Sequence, residues 1–149
     1  MSNVENILGS AQARGTQNNL PYAGALTPEE TYQLVNEGQS VVLVDVRSRA
    51  ELELVGRVPL ATHIEWAFYP GMVANPDFAA QLQAQVDKQS TIVFMCRTGG
   101  RSHNAALLAQ QLGYGKAYNM LQGFEGDANE HKQRTLINGW KHAGLPWTN

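Results

Sequence analysis

Residues 91–102 read TIVFMCRTGGRS and hold the one cysteine of this 149-residue chain, Cys96, between an apolar run and a turn rich in glycine and arginine. Thr91 to Met95 are short-run, apolar and β-branched or aromatic, the pattern of a buried strand. From Arg101 onward, RSHNAALLAQQLG has helical spacing, with Ala105, Leu108 and Leu112 on one stripe and Gly113 as its stop. Cys96 therefore falls on a strand-to-helix turn, toward which the helix's free backbone N–H groups point. Those groups, the helix dipole and the nearby Arg97 and Arg101 favour a thiolate over a thiol. Gly99 and Gly100 permit backbone conformations in which N–H groups converge on one point, as an anion nest requires. An arbitrary cysteine behind a strand is an inert core residue. Two arginines and a glycine pair turn this one into a nucleophile's seat.

The chemistry follows from the parts. A thiolate in a cationic cup attacks the outer sulfur of an anionic donor such as thiosulfate, expelling sulfite and leaving a persulfide on Cys96. An acceptor then removes the terminal sulfur: cyanide, a small thiol, or a sulfur-accepting protein. The loop Arg97, Thr98, Gly99, Gly100, Arg101 and Ser102 would surround the persulfide, with Arg97 and Arg101 orienting the donor. With no second cysteine, sulfur loaded on Cys96 has no resolving thiol within the chain. A cysteine phosphatase or arsenate reductase is the main rival. Its cradle needs C-x5-R, whereas Arg101 makes C-x4-R here and Ser102 occupies the next position.

The elements that must position this loop are legible on either side of it. Residues 1–24 read as an N-terminal arm, a short helix weakened by Gly9 and Gly15 followed by an extended lead-in, and residues 25–149 as the main domain. In LTPEETYQLVNEG, Thr27 caps, Pro28 suits the first helical position, Glu30 completes a capping box and Gly38 stops the helix. SVVLVDVR is a near-continuous apolar strand of the parallel, doubly covered type. RAELELV suits a short helix ending at Gly56, and a short strand is expected around His63–Glu65. FYPGMVANP reads as loop, with Asn75 capping a helix that opens at Pro76. KAYNM reads as a strand, QGFEGDANEHKQR as an exposed loop and TLINGWKHAG as a last amphipathic piece before LPWTN. Strands alternating with helices predict an open α/β sheet, mainly parallel, with helices on both faces and its site beyond the strands' carboxyl ends.

The order of VVLVDVR, GRVPLATHIEW, CRTGGRS, YNMLQGFEGD and NGWKHAGLPW resembles the single-domain rhodanese (sulfurtransferase) family over residues 25–147. The resemblance implies a central parallel sheet, Cys96 as nucleophile, and the backbone N–H groups of Arg97 through Arg101 as the persulfide cradle. Two stretches depart from the family pattern. Gly56–Ala61 replaces the usual G-H-I-P-G-A, and Gln122, Gly123 and Phe124 stand where a double glycine and a tryptophan are usual. A non-catalytic binding module of rhodanese type is a further alternative, though such modules often lack the cysteine.

Asp45 and Arg47 end a strand on the edge that carries Cys96, so they are candidates to support the site, with structural ion pairing as the competing role. His103, in the first turn of the loop's helix, can tune the thiolate or lie on the surface. Glu65, with Trp66, Phe68 and Tyr69, can line the cleft or pack in the core. His63, His131 and His142 are scattered and suggest no metal site, and no cofactor is implied. Hydrophobic residues at 43%, charged residues at 16% and a net charge of −2 fit a globular domain and give no footprint for nucleic acid. No apolar stretch approaches the roughly 18–20 residues a membrane span needs. The start of the chain lacks a secretory pattern, and a lone free cysteine fits a reducing cytoplasm.

Overall fold

A computed structural model describes residues 3–149. Its frame is a five-stranded sheet of β1 (Gly24–Leu26), β2 (Val41–Asp45), β3 (Thr62–His63), β6 (Thr91–Met95) and β7 (Ala117–Met120). The strands are all parallel, in the order β1-β7-β6-β2-β3. Two further short strands, β4 (Ala67–Phe68) and β5 (Val73–Ala74), pair as an antiparallel hairpin outside the sheet.

The period of two along the strands sorts the core into two layers. Val44, Val46, Ile92, Phe94 and Cys96 face one side, where α4 (Phe78–Gln85) and α5 (Gly100–Gln111) cover them. Leu43, Val93, Met95, Tyr118 and Met120 face the other, under α1 (Asn3–Gln17) and α2 (Pro28–Glu37). Both faces are thus covered, and the alternation alone delivers Cys96 to the α4/α5 side. On α5 the fully buried positions are Ser102, Ala105, Ala106 and Ala109, with Leu108 and Leu112 flanking them. Small residues let this helix sit close to β6.

Local signals set several boundaries. Thr27 and Glu30 form the capping box of α2, and Ser48 and Glu51 form one for α3 (Arg49–Val55). α1, by contrast, runs unbroken through Gly9 and Gly15, longer than its propensities predict. The reason is close packing against β1. A Cβ at Gly15 would stand 3.0 Å from the Ala23 carbonyl oxygen, and one at Gly24 would collide with the Ala11 carbonyl. Ile7 and Ala11 are buried on this face, and the Arg14 guanidinium binds both oxygens of Glu30 at 2.6 and 2.9 Å.

Four expectations need correction. The stretch read as loop contains the β4–β5 hairpin, and α4 opens at Phe78 rather than Pro76. Asn75 does not cap it. Its Oδ1 accepts from Asp77 N–H, while its Nδ2 donates to the Glu65 carbonyl and Gln81 Oε1, tying the hairpin's exit to the segment that enters it. Third, Gly123–Gly126, expected in an exposed loop, are buried beneath the turns of the C-terminal segment. There Trp140 is fully buried, and Trp147 stacks under the Lys141 ammonium, 3.9 Å away. The expected strand near His63 is shorter, Thr62–His63, and pairs with Val44 and Asp45. Among the described residues no helix is long and apolar enough to cross a membrane.

Candidate active site

Cys96 follows directly on β6, and α5 begins four residues later. Gly99, the residue before the helix, has φ +117°, a left-handed backbone that glycine adopts without a Cβ penalty. That conformation turns the chain sharply enough for the Gly99 N–H to donate to Cys96 Sγ at 3.1 Å. Ser102 Oγ, one turn into α5 and fully buried, stands 3.3 Å from the same sulfur and donates its hydroxyl. Cys96 itself is 1% exposed.

The loop is held from outside through its carbonyl groups. Phe124 N–H donates to the Cys96 carbonyl at 2.8 Å and Glu125 N–H to the Arg97 carbonyl at 3.0 Å. Asn119, on β7, donates from Nδ2 to the Gly99 carbonyl at 3.2 Å. Thr98 and Gly100 complete the turn between these fastened points. The ring from Cys96 to Arg101 is therefore braced by residues of β7 and the segment after it. Asn119 does not stand out in the sequence, where it reads as an ordinary strand residue, and Phe124 is marked only as a departure from the family pattern.

Removing the Ser102 hydroxyl tests how much of this setting acts on sulfur. Ser102→Ala deletes one of two donors to Sγ, a contribution of about 1 kcal/mol. Alkylation of Cys96 by a neutral reagent at fixed pH is expected to slow roughly fivefold. An unchanged rate would assign Ser102 to packing alone.

Both arginines of the loop are paired with carboxylates, which their positions in the sequence do not reveal. Arg101 Nη1 and Nη2 bind Glu51 Oε1 and Oε2 at 2.7 and 2.8 Å, in bidentate geometry. Arg97 Nε lies 2.9 Å from Glu125 Oε2, with its side chain 47% exposed. The two arginines thus divide the roles expected of them jointly. Arg101 clamps the loop to α3, whereas Arg97 pairs with Glu125 through Nε and stays about half exposed.

Burial opposes the charge on Glu51, but the Arg101 hydrogen bonds and charge, with help from Ser48, outweigh it and hold the carboxyl at about 2, below its ordinary 4.5. For Arg101 burial acts downward, and Glu51, then Cys96 and Asp45, reverse it upward. A carboxyl lowered on folding contributes stability that is complete above its unfolded value and is lost as pH falls through the folded one. Stability is therefore expected to decline between about pH 4.5 and pH 2, and Glu51→Gln to flatten that decline in urea titrations at stepped pH. An identical pH slope in the variant would remove the clamp from the account.

The supporting candidates separate. Asp45 and Arg47 form a fully buried ion pair, with Arg47 Nη2 2.7 Å from Asp45 Oδ2 and Nε 3.0 Å from Oδ1. Arg47 also donates to the Gly56 carbonyl, and its guanidinium lies 4.2 Å from the Phe124 ring centroid. The pair thus supports the segment that braces Cys96. Glu65 accepts from the Arg49 N–H at 3.0 Å, at the start of α3, and does not join the loop. His103 Nδ1 is 2.6 Å from the Tyr22 hydroxyl, with the rings edge to face, on the way from α5 to the N-terminal segment.

Over the loop opens a cavity of about 450 Å3. Arg97, Arg101, Glu51 and Glu125 form its charged part, and Val55 with Tyr69, Gly71 and Met72 of the hairpin tip its other wall. Of these, the sequence pointed to the arginines and Tyr69. Among the described residues no cluster of three or more His, Cys, Asp or Glu is set to hold a metal ion.

The family described as Rhodanese-like domain matches residues 27–130 by its sequence model. The chain belongs to this family. It is similar, with 36% identity and a TM-score of 0.78, to the crystal structure of Rv0390 from M. tuberculosis, over 85% of this chain and 97% of that one. Uncharacterized protein RC0915 of Rickettsia conorii is 33% identical over 120 residues, 79% of this chain and 91% of the relative. A protein of Allochromatium vinosum named Sulfurtransferase is 27% identical over 118 residues, 79% of this chain and 88% of the relative.

Proposed function

We propose that this rhodanese-family protein is a sulfurtransferase that carries sulfane sulfur as a persulfide on Cys96. The observation that carries the reading is the setting of Sγ, which receives a backbone N–H and a buried hydroxyl at the mouth of a helix whose dipole favours negative charge. A relative named Sulfurtransferase supports the reaction class.

Thiosulfate is the proposed donor. The Cys96 thiolate attacks its outer sulfur; a bond forms to Sγ, the donor's S–S bond breaks, and sulfite leaves with the electron pair. Arg97, half-exposed at the loop, meets the anion, while Arg101 stays clamped to Glu51. Cyanide or a thiol then takes the terminal sulfur and returns Cys96 to the thiolate. The short C-x4-R ring, whose arginine is spent on Glu51, favours this reading over phosphate or arsenate chemistry. A lone free cysteine fits work in the reducing cytoplasm.

Intact-protein mass spectrometry tests the proposal. After incubation with thiosulfate and desalting, the protein should gain the mass of one sulfur and lose it on adding cyanide. A folded protein that gains no sulfur, from thiosulfate or from an organic persulfide, would reject the proposal and favour a binding module.

A further inference from the structure

The cavity over the loop is far larger than cyanide or thiosulfate requires. Its volume of about 450 Å3 lies in the range of sites that enclose whole organic molecules. Its wall is also chemically specific. Val55 comes from the end of α3, and Tyr69 and Met72 from the tip of the β4–β5 hairpin, facing it across the opening. Tyr69 is 64% and Met72 45% exposed, so two large side chains stand beside the loop with apolar surface left uncovered. Methionine adapts to ligands of varied shape, and tyrosine offers an apolar body with a wet tip.

The charged part of the cavity adds a second constraint. Arg97 and Arg101 are matched by Glu125 and Glu51, so these four side chains carry no net charge. An acceptor with an uncharged apolar body needs no countercharge there.

We propose, resting on the sulfurtransferase reading, that this cavity is the acceptor site for a low-molecular-weight organic thiol with an uncharged, apolar body, and that Tyr69 and Met72 select it. The thiol sulfur attacks the terminal sulfur of the Cys96 persulfide anion. An S–S bond forms to the acceptor, the bond from Sγ breaks, and the electron pair returns to Sγ as thiolate. The thiol's proton ends on the product persulfide. Sulfane sulfur moves and no external oxidant or reductant is consumed.

A matched thiol series tests this. Protein loaded with sulfur and freed of donor is discharged with 2-phenylethanethiol, 2-mercaptoethanol or 2-mercaptoethanesulfonate, and the loss of sulfur is timed by intact mass. Each rate is divided by that thiol's rate with a protein-free persulfide. The phenyl compound is expected to lead 2-mercaptoethanol by at least about tenfold and to saturate, with the sulfonate gaining no comparable advantage. Tyr69→Ser and Met72→Ser should each cut the phenyl-over-hydroxyl ratio several-fold. Val73→Ser, on the same hairpin but outside the cavity wall and 61% exposed, should keep it. Equal normalised rates, a leading sulfonate, or a ratio that survives both hairpin variants would overturn the assignment while leaving sulfur transfer standing. Failure of Cys96 to load at all would instead reject the sulfurtransferase reading, and the acceptor site with it.

Discussion

Cys96→Ala is expected to abolish sulfur transfer to cyanide, by at least about a thousandfold, while the protein stays folded. The activity loss is complete because covalent sulfur needs a thiolate, and the chain has no second cysteine to substitute. The fold survives because the deletion is small. Alanine removes one buried sulfur and leaves the Gly99 N–H and the Ser102 hydroxyl without that acceptor, a cost of about 1–3 kcal/mol. Domains of this kind are stable by roughly 5–15 kcal/mol. The loop's outer fastenings, from Phe124, Glu125 and Asn119, do not involve Sγ and remain. Thiocyanate formation and the urea midpoint, measured on one preparation, separate the two effects. Turnover retained in the variant would move the sulfur carrier away from Cys96.

Asp45→Ala carries the largest expected effect on stability. The carboxylate and the Arg47 guanidinium are both buried, at 1% and 0% side-chain exposure, and meet through three contacts of 2.7–3.2 Å. Deleting one member leaves an uncompensated charge in the core, a loss of about 3–5 kcal/mol. For a chain of this length that lowers Tm by roughly 10–20 °C. Asp45→Asn keeps some hydrogen bonding and should fall between the two. The double variant Asp45→Leu, Arg47→Met replaces the pair by apolar groups and should recover much of the loss. Calorimetry on the wild type and these three variants measures the losses, and a single-variant loss below about 1 kcal/mol would show that water reaches Arg47. Because the Arg47 guanidinium lies over Phe124, which braces the Cys96 carbonyl, activity should fall together with stability.

The parts of the fold that were legible in the sequence rest on contacts within a few residues. The capping box at Thr27–Glu30 closes across three positions, so the start of α2 follows from residue type alone. β2 and β6 are continuous apolar runs, and a sheet covered on both faces demands such runs. The hairpin was not legible, because strands of two residues carry no period and their pairing is set by neighbours far along the chain. The length of α1 was hidden for a related reason. Glycine weakens a helix in isolation, yet here Gly15 is what lets α1 close on β1.

For the site, the residues around Cys96 already determined the nucleophile candidate, the five-step ring to Arg101 and the lack of an internal exit for sulfur. These are properties of type and spacing, and a strand-to-helix turn expresses them locally. Which carboxylates neutralise the arginines was decided only by the tertiary structure. Arg101 meets Glu51 from 50 positions away, and Arg97 meets Glu125 from beyond β7. The same packing sets Tyr69 and Met72 beside the loop. Charge balance and cavity shape arise from side chains that converge only when the sheet assembles, so no local pattern records them.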